Sequence, residues 1–202
     1  FVCHYTDWSF TNHPLCKYHR EQPDICTPKT FQGVPAALFR NRGDGTFTEV
    51  SKEAGIRQDT AQQNYSLGVL AVDVNADGKP DLYVCNDTTD NYLYVNRSTP
   101  GKIRFDEVGL VSGTAFDDRG APNGSMGVDA ADYDRSGWQS LFVTNFEMEL
   151  HALYRNLGLR GQFLYSTAAT GIASLGSTWV GWGTRFVDLD NDSWEDLVIV
   201  HG

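Results

Sequence analysis

Asp73-Val-Asn75-Ala-Asp77-Gly78-Lys79-Pro80-Asp81 runs directly into the apolar stretch Leu82-Tyr83-Val84-Cys85. Oxygen-bearing side chains stand at loop positions 1, 3, 5 and 9, with glycine at position 6. A hard cation such as Ca²⁺ takes roughly six to eight oxygens, from carboxylates, amides, main-chain carbonyls and water. A tight turn that aims alternate side chains inward supplies them, and Gly78 permits the positive φ such a turn needs. The first positions read like an EF-hand loop. That loop, however, closes with a glutamate at its twelfth position between two helices, and here the twelfth residue is Val84. The flanks, Leu67 to Val72 and Leu82 to Cys85, are short apolar runs with β-branched residues, which read as buried strands. The stretch predicts a calcium loop inside a β-hairpin, with a solvated Asp/Gly turn as the plain alternative for a single such loop.

Recurrence decides between them. Asp132-Tyr-Asp134-Arg-Ser136-Gly137-Trp138-Gln-Ser140 starts 59 residues later, and Asp188-Leu-Asp190-Asn-Asp192-Ser193-Trp194-Glu-Asp196 starts 56 after that. Gly68, Gly127 and Gly183 each precede a loop by five residues. A second signature keeps step: Leu38-Phe-Arg-Asn41, Leu93-Tyr-Val-Asn96 and Leu153-Tyr-Arg-Asn156. A third has a period of 58: Phe47 with Gly55, Phe105 with Gly113, Phe163 with Gly171. Three markers in phase make this a repeat protein.

The 202 residues are 41% hydrophobic and 21% charged, too apolar for a disordered chain. No apolar run is long enough for a membrane span. The net charge of −10 argues against nucleic acid and anionic membrane surfaces as partners. Repeated calcium loops and four cysteines suggest an extracellular, cell-surface or periplasmic setting, where calcium is plentiful and disulfides persist. No signal peptide is visible and the chain opens on Phe1, which suggests a mature chain or one cut from something longer.

Phe1-Val-Cys3-His4-Tyr5 aligns with Tyr83 to Asp87 and with Phe142 to Phe146, so it is expected as the strand that follows a loop. Residues 6–33 break the pattern as a cysteine-bearing insertion. Cys16 and Cys26 are expected to close a short loop there by a disulfide. A zinc site from His13, Cys16, His19 and Cys26 is the competing reading, although its spacing matches no strong template. Cys3 and Cys85, at equivalent repeat positions, are expected as separate buried thiols, and a bond between them is the natural second bridge if both are oxidised.

Strands are expected at 37–40, 46–50, 67–73, 81–86, 91–96, 103–108, 126–132, 140–145, 151–155, 162–166, 182–188 and 196–201. A single helical turn is expected at Ser51 to Gly55 and nothing longer elsewhere. Four short antiparallel strands, repeated, predict an all-β fold of β-propeller blades, with the glycine-marked strand innermost. The units are 1–63, 64–122, 123–179 and 180–202, about three and a half blades. Strand edges at both ends suggest a piece of a larger, seven-bladed propeller, completed by further blades or another chain.

At these residues the unit resembles the FG-GAP repeat (integrin α-type, VCBS-like), whose loop binds calcium between the first two strands of a blade. Leu38-Phe-Arg-Asn-Arg-Gly-Asp-Gly-Thr-Phe47, Ser125-Met-Gly-Val128 and the insertion ending Thr27-Pro-Lys-Thr-Phe-Gln-Gly33 resemble bacterial secreted relatives of cartilage acidic protein. The resemblance implies Ca²⁺ as cofactor. Its ligands would be Asp73, Asn75, Asp77, the Lys79 carbonyl and Asp81 in the first loop. The third would use Asp188, Asp190, Asp192, the Trp194 carbonyl and Asp196. The second retains only Asp132, Asp134, Ser136 and the Trp138 carbonyl, because Ser140 replaces the ninth-position Asp. The first loop is expected to bind best, the third close behind, and the second weakly or not at all.

No catalytic constellation stands out. Asn123-Gly-Ser125-Met-Gly127 falls short of G-x-S-x-G and precedes a strand rather than a helix. His4 and His201 occupy the repeat position of Asn86 and Asn145, which suggests structural hydrogen bonding, and His151 shows no recurrent partner. The expected function is a non-catalytic recognition or adhesion scaffold with a protein or carbohydrate ligand. The rivals are the propeller part of a secreted carbohydrate-active lyase or glycosidase, and a structural subunit of a surface complex.

Overall fold

The computed structural model describes residues 1–17, 22–58, 64–158 and 161–202. Two complete four-stranded antiparallel sheets carry the repeat. One contains β3 (Ser66–Val72), β4 (Asp81–Asn86), β5 (Tyr92–Asn96) and β6 (Phe105–Glu107). The other contains β7 (Ser125–Ala131), β8 (Ser140–Asn145), β9 (Ala152–Asn156) and β10 (Phe163–Tyr165). They are flanked by two-stranded sheets, β1 (Phe39–Asn41) with β2 (Phe47–Glu49), and β11 (Gly181–Val187) with β12 (Asp196–His201). Each strand pairs with its chain neighbour in a meander, as propeller blades require. Among the described residues helix is confined to single turns, α1 (Ser51–Ala54) and α2 (Gly109–Ser112), and to 3-10 turns at Pro28–Thr30 and Ile172–Leu175. Only α1 was expected; α2 falls one repeat later and ends, like α1, on a left-handed glycine.

Cores lie between blades rather than within them. Alternate residues of β4 face opposite sides of its sheet, and both sides are covered. Tyr83 and Cys85 join Leu141, Val143 and Tyr154 of the next sheet, whereas Leu82 and Val84 join Tyr92, Tyr94, Ala54 and Ile56. Every residue of β4 and β8 is therefore buried, and their sequences read as continuous apolar runs instead of alternating ones. Strands β3, β7 and β11 pack side by side as the innermost row. A Cβ on Gly68 would lie 2.2 Å from the Met126 carbonyl oxygen, and one on Gly127 would lie 1.9 Å from that of Trp182. The recurrent glycine is thus what lets neighbouring inner backbones touch.

The expected first strand is not continuous. Val2 and Ala37 exchange backbone hydrogen bonds of 2.7 and 2.9 Å, and a second isolated bridge joins Thr6 to Gly33. The chain then departs into the insertion. There Cys16 and Cys26 form the expected disulfide, with Cα atoms 5.3 Å apart. This overturns the zinc reading, because the metal needs thiolates. His13 accepts a 2.8 Å hydrogen bond at Nδ1 from Trp8 and stacks on Phe31, and His19 lies outside the described residues. Cys3 and Cys85 are both free, but Cys3 is only partly buried. Burial pushes the Cys3 thiol up to about 11 and raises the Cys85 thiol as well.

The histidines take up repeat positions. The His4 Nδ1 donates to the Pro35 carbonyl at 2.8 Å, just as the Asn86 and Asn145 amides donate to the Asp90 and Leu150 carbonyls. His151 does have a recurrent counterpart. The Asn145 N–H donates to its Nδ1 at 3.1 Å, as the Asn86 N–H donates to the Asn91 side chain at 2.8 Å. Burial, and then His201 with its Nε2 3.4 Å from that of His151, hold the His151 pKa below 6.5. A histidine kept neutral by folding binds fewer protons folded than unfolded, so stability is lost as pH falls below the unfolded value. The melting temperature is expected to drop below about pH 6.5, and His151→Asn, the residue of the preceding blade, is expected to flatten that drop. An unchanged pH profile in the variant would contradict this.

Candidate metal centre

The three acidic loops are the β3–β4, β7–β8 and β11–β12 turns, so they share one rim of the blade row. Each is wound by two left-handed residues. Position 6 holds Gly78, Gly137 and Ser193 at φ 81, 86 and 69°, and position 4 holds Ala76, Arg135 and Asn191 at φ 56, 53 and 63°. The position-4 requirement leaves no glycine in the sequence and was not legible there. The strain costs a non-glycine residue about 1–2 kcal/mol, and inward hydrogen bonds offset it.

Those bonds are nearly the same in the first and third loops. The N–H of Asp77 donates to Asp73 at 3.2 Å and to Asn75 at 3.0 Å; the N–H of Asp192 donates to Asp188 at 3.2 Å and to Asp190 at 3.1 Å. The position-6 N–H reaches the other oxygen of position 1, at 2.7 Å from Gly78 and 2.9 Å from Ser193. Position 5 accepts from position 7, Lys79 to Asp77 at 3.0 Å and Trp194 to Asp192 at 2.7 Å. Position 9 accepts from position 2, with Val74 donating to Asp81 and Leu189 to Asp196, each at 3.1 Å.

In the third loop carboxylate oxygens of Asp188, Asp190 and Asp196 lie within 4.8 Å of one another. Oxygens around a calcium ion sit at about 2.3–2.6 Å from it, hence at most about 5 Å apart, so this donor set fits the cation. Asp192 is outside that trio. The first loop has Asp73, Asn75 and Asp81 at the same positions and the same hydrogen bonds, so it fits by donor type and fold. Burial raises the Asp81 pKa against the backbone bonds from Asn96 and Val74; a bound cation acts in the opposite direction.

The second loop differs. Asp132 accepts from Ser136 at 2.7 Å and Gly137 at 2.8 Å as expected. Position 9 is Ser140, whose hydroxyl accepts from the Asn156 N–H at 3.1 Å. Asp134 meets the Arg155 Nε at 2.7 Å. Although burial works against ionisation, hydrogen bonds from Ser136 and Arg155 hold the Asp134 carboxyl low. The Trp138 indole lies against Gly158. This donor set does not fit the cation. Arg135 leaves the loop to stack on the Trp194 ring at 3.6 Å and to donate to the Ser193 carbonyl at 2.5 Å, which joins loops two and three.

The L-[YF]-x-N signature keeps phase with the loops because it closes them. The Asn96 N–H donates to Asp81 at 2.7 Å, and its amide donates to the Pro80 carbonyl at 2.8 Å. Asn156 does the same for Gln139 at 3.0 Å and reaches across to Val74 of the first loop at 2.8 Å. A family model described as FG-GAP-like repeat matches residues 23–84 and 73–143, spanning the first two loops and the signatures Leu38 to Asn41 and Leu93 to Asn96.

The chain belongs to the FG-GAP-like repeat family. Cartilage acidic protein 1 of Homo sapiens is 32% identical over 172 residues, 83% of this chain and 24% of the relative. The Mus musculus protein of that name is 31% identical over 172 residues, and the Xenopus tropicalis one 27% over 182, each over 83% of this chain and 25% of its own length. The FG-GAP chain thus spans about a quarter of the length of these curated relatives.

Proposed function

We propose that this FG-GAP chain is a calcium-stabilised, non-catalytic recognition scaffold that works outside the cell. The observation that carries the reading is the convergence of Asp188, Asp190 and Asp196 within 4.8 Å on a loop already bent to receive a cation. Ca²⁺ held there and in loop 73–81 would neutralise carboxylates that otherwise repel one another, and would fix the rim on which a ligand docks. The Cys16–Cys26 disulfide supports an oxidising compartment. The recognition role rests on family analogy, and none of the three relatives' names states a catalytic activity.

Thermal melts with calcium and with chelator test this. A ligand at 100 times its Kd adds about 2.7 kcal/mol per site, which is about 5–10 °C in a chain of this size. Calcium is expected to raise the parent's melting temperature, and Asp73→Ala and Asp188→Ala should each remove part of the rise. A parent that melts identically in calcium and in chelator would overturn the proposal.

A further inference from the structure

The second loop keeps the fold of its neighbours with a different donor set, and the difference is itself built. As in those neighbours, both oxygens of its first Asp, Asp132, take backbone N–H groups, from Ser136 at 2.7 Å and Gly137 at 2.8 Å. Its ninth position, however, offers one hydroxyl, which already accepts from Asn156. One oxygen of Asp134 faces the Ser136 N–H at 3.3 Å, and the other takes the Arg155 Nε at 2.7 Å. Arg155 is the third residue of Leu153-Tyr-Arg-Asn156. In the preceding blade that place belongs to Val95, which is buried in the core and carries no charge.

We infer that Arg155 does in loop 132–140 what a cation does in an FG-GAP loop, so that this loop is locked by a guanidinium and takes no calcium. The charges agree. At the ligand positions loop 73–81 presents three carboxylates and loop 188–196 four, whereas loop 132–140 presents two with a guanidinium bonded to one. A charge-assisted hydrogen bond is stronger than a neutral one, and the positive charge held 2.7 Å from Asp134 repels a second cation. The loop is then held in its shape at any calcium concentration, with Arg135 seated on Trp194 and Ser193 of the next loop.

A double-mutant cycle in chelator tests the lock without any appeal to metal at the other loops, on whose reading only the contrast depends. Asp134→Asn and Arg155→Met are each expected to lower the melting temperature by a few degrees, equally in chelator and in calcium. The double variant should fall no further than either single one, because both remove the same pair. Additive losses, or losses seen only with calcium, would overturn the inference. Terbium luminescence excited through tryptophan gives the second arm. Trp194→Phe should reduce sensitised emission and Trp138→Phe should leave it intact. Emission lost with Trp138→Phe would place a metal in the second loop and overturn the inference. A protein without emission in which the cycle still couples would keep the lock and defeat the calcium reading of the other two loops.

Discussion

Gly127→Ala is expected to destabilise this protein by about 3 kcal/mol or more, a drop of about 6–12 °C in melting temperature. The added Cβ would sit 1.9 Å from the Trp182 carbonyl oxygen and 2.8 Å from the Thr144 hydroxyl. Neither can retreat cheaply. The Thr144 hydroxyl donates to that same carbonyl at 2.9 Å and accepts from the Gly127 N–H at 2.9 Å, a knot between two inner strands. The control is Lys52→Ala, on the exposed side of α1. Its effect should stay within about 0.5 kcal/mol. Equal melting temperatures for the two variants would mean that the inner strands do not pack as described.

Tyr154→Ala should cost about 3–5 kcal/mol. The ring is 1% exposed and lies between two blades, 6.4 Å from the Tyr83 ring and 5.7 Å from that of Tyr165. Its hydroxyl donates to the Phe116 carbonyl at 3.1 Å. Tyr154→Phe removes only that bond, so about 1 kcal/mol is expected. Phe39 holds the same motif place in the first repeat but is 42% exposed, and Phe39→Ala should cost much less. Chemical denaturation of the three variants checks the order. A Tyr154→Ala protein no less stable than Phe39→Ala would deny that the core lies between blades.

The architecture was legible because the recurrent markers have recurrent physical partners, the signature Asn in the loop of its own blade and the glycines one blade away. The glycine five residues before a loop faces the neighbouring inner strand. The glycine that ends each helical turn has the next blade's marker phenylalanine against it: a Cβ on Gly55 or Gly113 would lie 2.5 or 2.8 Å from the Phe105 or Phe163 carbonyl oxygen. Contacts that recur force residues that recur. What escaped the sequence does not repeat as residue identity. Position 4 of the loops is left-handed in Ala76, Arg135 and Asn191 alike, so no shared side chain announces it. His151 and Asn91 do one job with two chemistries, and only counting back from Asn156 and Asn96 pairs them. Arg155 stands at a variable place of its motif, and only its distance to Asp134 shows what it does. The strand expected at residues 1–5 fails as a continuous strand because the insertion diverts the chain after Thr6, leaving isolated bridges.

Calcium stoichiometry, read by native mass spectrometry beside isothermal titration, tests the central claim most directly. The account predicts two specific Ca²⁺ ions per chain, one lost in Asp73→Ala, the other lost in Asp188→Ala, and both retained in Asp134→Ala. A parent chain that binds no calcium, or a third ion that disappears with Asp134→Ala, would contradict it.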